Sequence, residues 1–172
     1  RIFSELMLIL HADEKYGIPY AQYNGLKVLQ STDVLRYILP ELALGDGMPQ
    51  RADFHDHDVL EHTLRTVKYA DRRIRLAALL HDVGKPYCYR NFGNYHRHEI
   101  EGARIAEEIL TRLKAPNKVI EDTVELTRTH MYDLNNQTKE SKIRAFIVEN
   151  FALYPRILLV KQADYSGCKD DL

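Results

Sequence analysis

Apolar residues recur at intervals of three and four along almost the whole chain, and this spacing limits the possible folds more than any other feature. On a helix of 3.6 residues per turn, such residues form one apolar stripe. A β-strand instead shows strict alternation and many β-branched residues, and no stretch has enough of either to suggest a sheet. We therefore predict an all-α fold.

The helix limits follow from this spacing and from the residues that interrupt it. The predicted helices are residues 2–16, 20–30, 33–39, 58–70, 72–83, 97–114, 117–131, 139–150 and 155–164. Gly17 should end the first helix, Pro40 should end the third, and Ser31, Thr32 and Asp33 suit the N-cap between the second and third. The glycine- and aromatic-rich residues 84–95 are predicted as a connection between helices.

A cluster of helix breakers at residues 45–50 divides the chain. We predict an N-terminal helical segment, residues 1–46, followed by a second unit, residues 47–172. With 172 residues, 45% of them hydrophobic, the chain can bury a continuous core without disulfides. It starts at Arg1 without a methionine and stops just after a helical segment, so we expect a piece of a longer protein.

Composition excludes several classes of partner. The formal net charge of -1 provides no overall positive field, so any RNA contact would be local. No apolar run approaches the roughly 20 residues that a membrane span requires, so no membrane partner is expected. Cys88 and Cys168 lack the spacing of a thiolate zinc site and fit a reducing compartment, which favours a cytoplasmic location.

Histidine points to a metal site, because six of the eight histidines fall between positions 55 and 98. His81 and Asp82 adjoin each other at the end of an apolar helix, in the segment Leu79-Leu80-His81-Asp82-Val83-Gly84-Lys85. Polar side chains there are costly unless something binds them. Adjacent helical residues point about 100° apart, so further ligands must come from other helices.

Four residues are the candidates for these further ligands. His62 lies at the margin of the apolar face of its helix, and Asp164 follows an apolar helix in which a buried carboxylate calls for a cation. His98 opens one predicted helix, and His130 lies near the end of another. Imidazole and carboxylate together suit manganese, iron, cobalt, nickel or zinc better than calcium.

Simpler explanations exist for each of these residues. His81 and Asp82 could form a polar helix end, and His62 and Asp164 could form a buried hydrogen-bonded pair without a metal. His98 and His130 could hold a second ion, or they could support the ligands or contact the substrate. The number of ions, one or two, therefore stays open.

The order His62, His81-Asp82, His98, His130, Asp164 resembles the HD superfamily of metal-dependent phosphohydrolases. That resemblance implies an HD-domain helical bundle in which His62, His81, Asp82 and Asp164 hold one metal. It further implies that His98 and His130 hold a second metal, with Asp82 bridging the two. Asp82 and Lys85 are the implied catalytic residues, since the matching lysine in HD proteins approaches the substrate phosphate.

A closer resemblance is to the HD region of bacterial tRNA nucleotidyltransferases and related poly(A) polymerases. It rests on the segments Phe54-His55-x-x-Asp58-Val59-x-Glu61-His62-Thr63-Leu64, Leu79 to Pro86, and His98-Glu99-x-x-Gly102-Ala103-x-Ile105-Ala106. Residues 1–42 are similar to the neck that precedes this region. The Gly-Ser step and Asp-x-Asp motif of the nucleotidyltransferase head are missing, so this chain alone should not add nucleotides.

Lys85, His55 and Arg128 are the residues that we assign to substrate binding. Lys85 lies four residues after His81, on the same helical side if the helix persists. His55 matches the histidine upstream of the first ligand in the family pattern. Residues 87–97 interleave aromatic and cationic side chains, a composition that can stack a base and hold its phosphate or simply pack as a loop.

The resulting prediction is a metal-dependent phosphohydrolase that acts on nucleotide-like or RNA-end phosphate esters such as 2′,3′-cyclic phosphates, with tRNA as a further candidate partner. The main alternative is a non-catalytic, tRNA-binding body of a CCA-adding or poly(A) polymerase-type nucleotidyltransferase. A di-iron oxygenase can use the same six-ligand frame. A cyclic-dinucleotide phosphodiesterase is disfavoured because no Gly-Tyr-Pro follows His98-Glu99.

Overall fold

The computed structural model describes residues 1–169. All of the predicted helices lie within that range. Its α-helices are α1 Ile2–Leu10, α2 Ala12–Tyr16, α3 Ala21–Ser31, α4 Val34–Ile38, α5 Pro40–Ala43, α6 Val59–Tyr69, α7 Arg75–Leu80, α8 Lys85–Phe92, α9 His98–Arg112, α10 Asn117–Thr129, α11 Glu140–Glu149 and α12 Tyr154–Ser166. A 3-10 helix covers Arg72–Ile74, and no strand occurs within residues 1–169. The predicted all-α fold is confirmed.

One continuous apolar core joins helices from both ends of the chain. Leu10 of α1 and Leu26 of α3 are fully buried in it, together with Leu64 of α6 and Leu79 of α7. Helices α9 and α10 pack against each other, and α6 packs against α3, α7 and α12. This arrangement brings the ends of α7 and α10, the start of α9 and one face each of α6 and α12 toward the same interior point.

Helix α6 shows how the local sequence specifies these elements. Asp58 caps its first turn, because the Asp58 side chain accepts a hydrogen bond from the Glu61 backbone N–H at 2.7 Å. The acidic Glu61 also suits the positive end of the helix dipole. Seven of the eleven residues in α6 are buried, including His62. A histidine is therefore held on a face that is otherwise occupied by apolar and threonine side chains.

Several predicted helix limits are wrong in detail. The first helix breaks at His11, whose φ of -116° separates α1 from α2, and then ends at Gly17 as expected, with φ of 66°. Asp33 stands at the start of α4 with φ of 64° but makes no side-chain cap. The third predicted helix ends before Pro40 as expected, since α4 stops at Ile38, and Pro40 also starts α5, where a first-turn residue needs no N–H donor.

The predicted connection 84–95 is also corrected, because residues 85–92 form helix α8. Pro86 lies in its first turn, where the missing N–H costs nothing. Gly93 ends the helix with φ of 74°, and its N–H donates to the carbonyl of Tyr89 at 2.9 Å. The glycines that favoured a loop, Gly84 and Gly93, therefore lie at the two ends of a short helix.

Helix α7 ends at Leu80, before the predicted limit at residue 83. His81, Asp82, Val83 and Gly84 form a turn between α7 and α8. Lys85 is consequently the first residue of a new helix and not the continuation of the helix that precedes His81. A lysine in a first helical turn is disfavoured by the helix dipole, so a nearby carboxylate is needed to offset its charge.

Polar contacts link the two predicted segments, residues 1–46 and 47–172. Arg75 of α7 is buried and pairs with Asp13 of α2, with Nη2 and Oδ2 2.8 Å apart. Tyr23 of α3 donates to Glu61 of α6 at 2.5 Å. The division at residues 46 and 47 stays a prediction.

In the part of the chain that the structure describes, no helix has both the length and the apolar character for crossing a bilayer.

Candidate metal centre

Four predicted ligands from three regions of the chain meet at one point. His62 belongs to α6, His81 and Asp82 follow α7, and Asp164 belongs to α12. The His62 Nε2 atom lies 2.9 Å from Asp164 Oδ1, 3.3 Å from Asp82 Oδ2 and 3.3 Å from His81 Nε2. His81 Nε2 lies 3.2 Å from Asp82 Oδ2 and 3.3 Å from Asp164 Oδ1. These four residues can present one ligand atom each to a single ion.

A second group adjoins the first through Asp82. Asp82 Oδ1 lies 3.0 Å from His98 Nε2 and 3.4 Å from His130 Nε2, while those two nitrogens are 3.2 Å apart. Asp82 is only 2% exposed, and His130 is only 1% exposed. Since one carboxylate oxygen faces each group, Asp82 has the geometry of a bridge between two ion positions. The structure therefore brings all six predicted metal ligands together.

All four histidines turn the same ring nitrogen inward. Their Nδ1 atoms face backbone carbonyls: His62 to Gly167 at 3.1 Å, His81 to Ala78 at 2.6 Å, His98 to Tyr95 at 2.9 Å and His130 to Thr127 at 2.6 Å. A carbonyl can only accept, so each Nδ1–H donates and each neutral ring has its Nε2 lone pair free. Metal-binding histidines are held in this way by an acceptor on the outer nitrogen.

The atoms that face the centre of the site are all hydrogen-bond acceptors when the histidines are neutral. In the neutral state four Nε2 lone pairs and two carboxylates converge, and Nε2 atoms only 3.2 to 3.3 Å apart repel unless a proton or a cation lies between them. The carboxylates of Asp82 and Asp164 carry two negative charges against the single positive charge of Lys85. The donor set therefore fits one or two divalent transition ions, as the sequence suggested.

The pKa shifts in the first group, His62, His81, Asp82 and Asp164, also show that the site favours positive charge. Burial works to lower the pKa of His62, but the hydrogen bonds that its ring donates to Asp164 and Asp82 outweigh burial and hold the pKa well above the usual 6.5. For His81 burial is likewise outweighed by the two carboxylates, which raise the pKa to about 9. Burial would raise the pKa of Asp82, yet His81 and Lys85 hold it well below its usual value.

Asp164 and His130 complete this electrostatic pattern. His81 and His62 keep the pKa of Asp164 well below normal despite its burial. Burial lowers the pKa of His130, and the positive charge on a protonated His81 adds to that effect. His130 is therefore neutral at physiological pH, the form in which imidazole binds a metal. In the metal-free chain, protons on His62 and His81 take the place that an ion would fill.

Two glycines allow the second group to form. A Cβ atom on Gly84 would lie 2.2 Å from the carbonyl oxygen of His98 and 2.5 Å from the backbone nitrogen of Gly102. No side chain fits there, so Gly84 and Gly102 let the turn after α7 touch the start of α9 directly. This close approach carries His98 to Asp82 and explains both glycines of the sequence motifs.

Lys85 lies beside the metal ligands. Its Nζ donates to Asp82 Oδ2 at 2.9 Å and to Gln50 Oε1 at 2.6 Å, and it lies 5.8 Å from the centre of the Tyr95 ring. The sequence predicted this position for Lys85 on the assumption that one helix continues past His81. In the structure, the turn after α7 and the start of α8 place Lys85 there instead. Lys85 is only 8% exposed, and its contacts with Asp82 and Gln50 hold its ammonium group inside the site.

The other two residues assigned to substrate binding differ in location. The ring centres of His55 and His62 are 5.0 Å apart, and the buried Nδ1 of His55 has no hydrogen-bond partner. Burial, followed by the charges of His62 and Lys85, lowers the pKa of His55 to about 4. Arg128 is 53% exposed and pairs with Glu125 at 2.6 Å. Both assignments stay predictions.

Some residues of the site had no role in the sequence prediction. Gln50 holds Lys85, while Tyr95 and Gly167 supply carbonyls to His98 and His62. Cys168 can form a third group with His55 and His62, but its thiol already donates to the carbonyl of Asp164 at 3.3 Å. Tyr95 and Gly167 act through backbone atoms, for which residue type gives no signal. Gln50 belongs to the helix-breaker cluster at residues 45–50. Its side-chain amide is the one sequence feature that could have marked it as a hydrogen-bond partner.

Comparison with known proteins agrees with this geometry. The family model described as HD domain matches residues 59–165. The A-adding tRNA nucleotidyltransferase of Deinococcus radiodurans is 33% identical over 158 residues, which is 85% of this chain and 36% of that protein. The CC-adding tRNA nucleotidyltransferase of Thermus thermophilus is 36% identical over 152 residues, which is 81% of this chain and 34% of that protein.

A third relative, the Multifunctional CCA protein of Legionella pneumophila, is 30% identical over 155 residues, which is 81% of this chain and 37% of that protein. The chain thus spans about a third of the length of the curated relatives it matches. The family match begins at Val59, the first residue of α6, and extends to Tyr165 in α12. It includes all six residues of the two His/Asp groups, and the chain belongs to the HD domain family.

Proposed function

We propose that this chain is a metal-dependent phosphohydrolase that cleaves nucleotide-like or RNA-end phosphate esters, 2′,3′-cyclic phosphates among them. The observation that carries the proposal is the shared carboxylate of Asp82. Its two oxygens face two separate groups of inward-facing histidine nitrogens, 3.2 Å and 3.0 Å from His81 and His98. His62, His81, Asp82 and Asp164 would hold one divalent ion, and Asp82, His98 and His130 would hold a second.

Hydrolysis requires a water molecule, a positively charged environment for the phosphoryl oxygens and a proton for the leaving oxygen. Bound divalent ions would supply Lewis acidity toward the water and toward a phosphoryl oxygen. A P–O bond forms from water, the ester P–O bond breaks, and the leaving oxygen takes a proton that ultimately comes from that water.

The chain's own residues position these atoms. Lys85 presents its ammonium group beside Asp82 and can form a charge-assisted hydrogen bond to a phosphoryl oxygen. The half-buried His55 is neutral at physiological pH because its pKa is lowered to about 4. Its unpaired Nδ1 is itself buried, so His55 is proposed to shape the wall of the substrate site through its uncharged ring.

The activities named for the related proteins extend the proposal to the parent protein. We infer that the chain corresponds to the HD region of a tRNA nucleotidyltransferase-like protein, with tRNA as a partner. The same names support a second candidate function, a non-catalytic body that binds tRNA. Against that candidate, six acceptor groups converge in the interior, and a body without an ion gains no stability from such a cluster.

Elemental analysis of the purified chain, combined with a hydrolysis panel, tests the proposal. The panel contains a phosphomonoester, a linear phosphodiester and a 2′,3′-cyclic phosphate, each assayed with Mn²⁺, Co²⁺, Ni²⁺ and Zn²⁺. We expect one or two ions per chain and metal-dependent hydrolysis that a chelator abolishes. Bound metal without hydrolysis of any ester, together with tRNA binding, would favour the non-catalytic body. Iron with oxygen consumption would favour an oxygenase.

A further inference from the structure

Helix α8 divides the aromatic residues of segment 87–97 between two sides. Tyr87 packs against Phe92 with ring centres 6.3 Å apart, and the Arg104 guanidinium lies 4.8 Å from the Tyr87 ring. Tyr89 lies one helical turn after Lys85, and residues four apart share a helix face. The ring centres of Tyr89 and Tyr95 are 5.7 Å apart. Tyr89 and Tyr95 are thus grouped on the Lys85 side.

Tyr95 connects this pair to the metal centre. Its ring centre is 5.8 Å from Lys85 Nζ, which itself contacts Asp82. The Tyr95 hydroxyl donates to the carbonyl of Pro49 at 2.6 Å, and its own carbonyl accepts from His98. The contacts that hold a metal ligand therefore also hold the Tyr95 ring in place.

Tyr89 provides the accessible surface. It is 49% exposed, and its ring is tilted by 43° relative to Tyr95. One flat nucleobase cannot overlap both rings fully at that angle, so it would stack on the more exposed Tyr89 and meet Tyr95 at its edge. Aromatic faces stack with any base, and stacking needs no hydrogen-bond readout.

We propose that Tyr89 and Tyr95 bind the nucleobase of a substrate whose phosphate ester lies at Lys85 and Asp82, an inference that rests on the proposed phosphohydrolase function. The order of groups along the protein, aromatic ring, ammonium and metal-binding carboxylate, matches the order of base, phosphate and reacting atoms in a nucleotide. The tyrosine pair therefore selects nucleotides over phosphate esters without a base.

Two substrates that differ in the base test this selectivity. Adenosine 2′,3′-cyclic phosphate and glycerol 1,2-cyclic phosphate share the five-membered cyclic diester, but only the first has a nucleobase. For Tyr89→Leu we expect KM for the adenosine substrate to rise roughly five- to 140-fold, from the usual contribution of one stacked base. The kcat/KM for the glycerol substrate should not change.

Two variants serve as matched controls. Tyr87→Leu removes the same ring from the opposite side of α8 and should leave both substrates unaffected. Tyr89→Phe keeps the stacking face and should retain most of the affinity for the adenosine substrate. Equal changes on both substrates in Tyr89→Leu, or no change on either, would overturn the inference.

A binding measurement separates this inference from the hydrolase proposal. Calorimetric titration with adenosine 3′-monophosphate and with glycerol 3-phosphate, both in the presence of Mn²⁺, needs no turnover. Tighter binding of the nucleotide that Tyr89→Leu removes, in a chain that hydrolyses nothing, would support base binding and defeat only the hydrolase proposal. Equal affinity of the wild-type chain for the two ligands would overturn base binding even if hydrolysis occurs.

Discussion

The ammonium nitrogen of Lys85 lies 2.9 Å from Asp82 Oδ2, the carboxylate oxygen that also faces His62 and His81. The lysine therefore occupies the approach to one metal position and shares a ligand oxygen with the ion that would bind there. A divalent ion at that oxygen would repel the ammonium group, which could then turn toward a phosphoryl oxygen. We therefore expect Lys85 to act on the substrate and not to hold the ion.

Lys85→Ala should slow hydrolysis about tenfold to a hundredfold, the value of a charge-assisted phosphate contact of about 1.5–3 kcal/mol. Metal content should stay nearly unchanged, because the removed cation competes with the ion for Asp82. Both quantities are measured beside Lys68→Ala, which removes an ammonium group positioned over the Tyr20 ring. Full metal loss in Lys85→Ala would show that the lysine supports the ion.

Asp82→Ala should abolish both metal binding and hydrolysis, because one side chain supplies an oxygen to each His/Asp group. Its loss removes an anion that holds the first ion and the bridge to the second. Elemental analysis and a phosphodiester assay check this result. Asp122→Ala, which removes a carboxylate paired with Arg156, is the control. If Asp82→Ala hydrolyses the ester at the wild-type rate, the enzyme assignment is wrong.

His98→Ala and His130→Ala should each lower the bound metal from two ions per chain to one. These rings belong to the second group only, so the first group keeps its four ligands. The metal-to-protein ratio is compared with that of His96→Ala, an exposed histidine two residues from His98. A wild-type ratio of one that neither substitution changes would identify the site as mononuclear.

Gly84→Ala should both destabilise the fold and lower metal content. Its Cβ would lie 2.2 Å from the backbone oxygen of His98, so the start of α9 must move, at a cost of about 1–3 kcal/mol. Gly93→Ala is the control: φ is 74° there, but a Cβ meets open space, so strain should lower stability while metal content stays constant. Thermal unfolding and elemental analysis distinguish the two effects. Normal metal content in Gly84→Ala would show that the close approach is not needed.

The sequence was sufficient to predict the all-α fold and to nominate residues that the structure then brings together. Helical spacing is local, so apolar stripes reveal α6, α9 and α10 with small errors at their ends. His81 and Asp82 stand out because adjacent polar residues follow an apolar helix. The comparison with HD proteins supplied the order of the remaining residues, which come from distant parts of the chain.

The parts that escaped prediction depend on tertiary packing or on backbone atoms. The sequence predicts a connection where helix α8 forms, because Gly84 and Gly93 favour a loop and lie at the two ends of this helix. The acceptors for the histidine Nδ1 atoms are carbonyls, which every residue type possesses. The contact between Gly84 and Gly102 joins residues whose proximity follows from how α9 packs. The spacing of apolar residues along the sequence does not predict such contacts.

The pair Asp13 and Arg75 should set part of the acid sensitivity of the fold. Hydrogen bonding to Arg75 lowers the pKa of Asp13 below its usual 3.8. Because the folded-state pKa is lower than the unfolded value, the pair's stabilisation is complete above the unfolded pKa. It is lost as the pH falls through the folded value. Asp13→Ala leaves the guanidinium of a buried arginine without its carboxylate, although the carbonyls of Ala70 and Leu10 still accept from it.

We therefore expect Asp13→Ala to reduce the free energy of unfolding at pH 7 by about 2–4 kcal/mol, as for other charged groups that lose a buried partner. Urea unfolding at pH 7 and at pH 2.5 should show a smaller difference from the wild type at the lower pH, because pH 2.5 lies below the unfolded-state pKa of 3.8 and part of the pair's stabilisation is lost there. Glu140→Ala removes an exposed carboxylate paired with Arg144 and should change stability by less than about 0.5 kcal/mol. An equally small effect of Asp13→Ala at pH 7 would show that α2 contributes little to holding α7, since Arg75 would then be satisfied by backbone carbonyls alone.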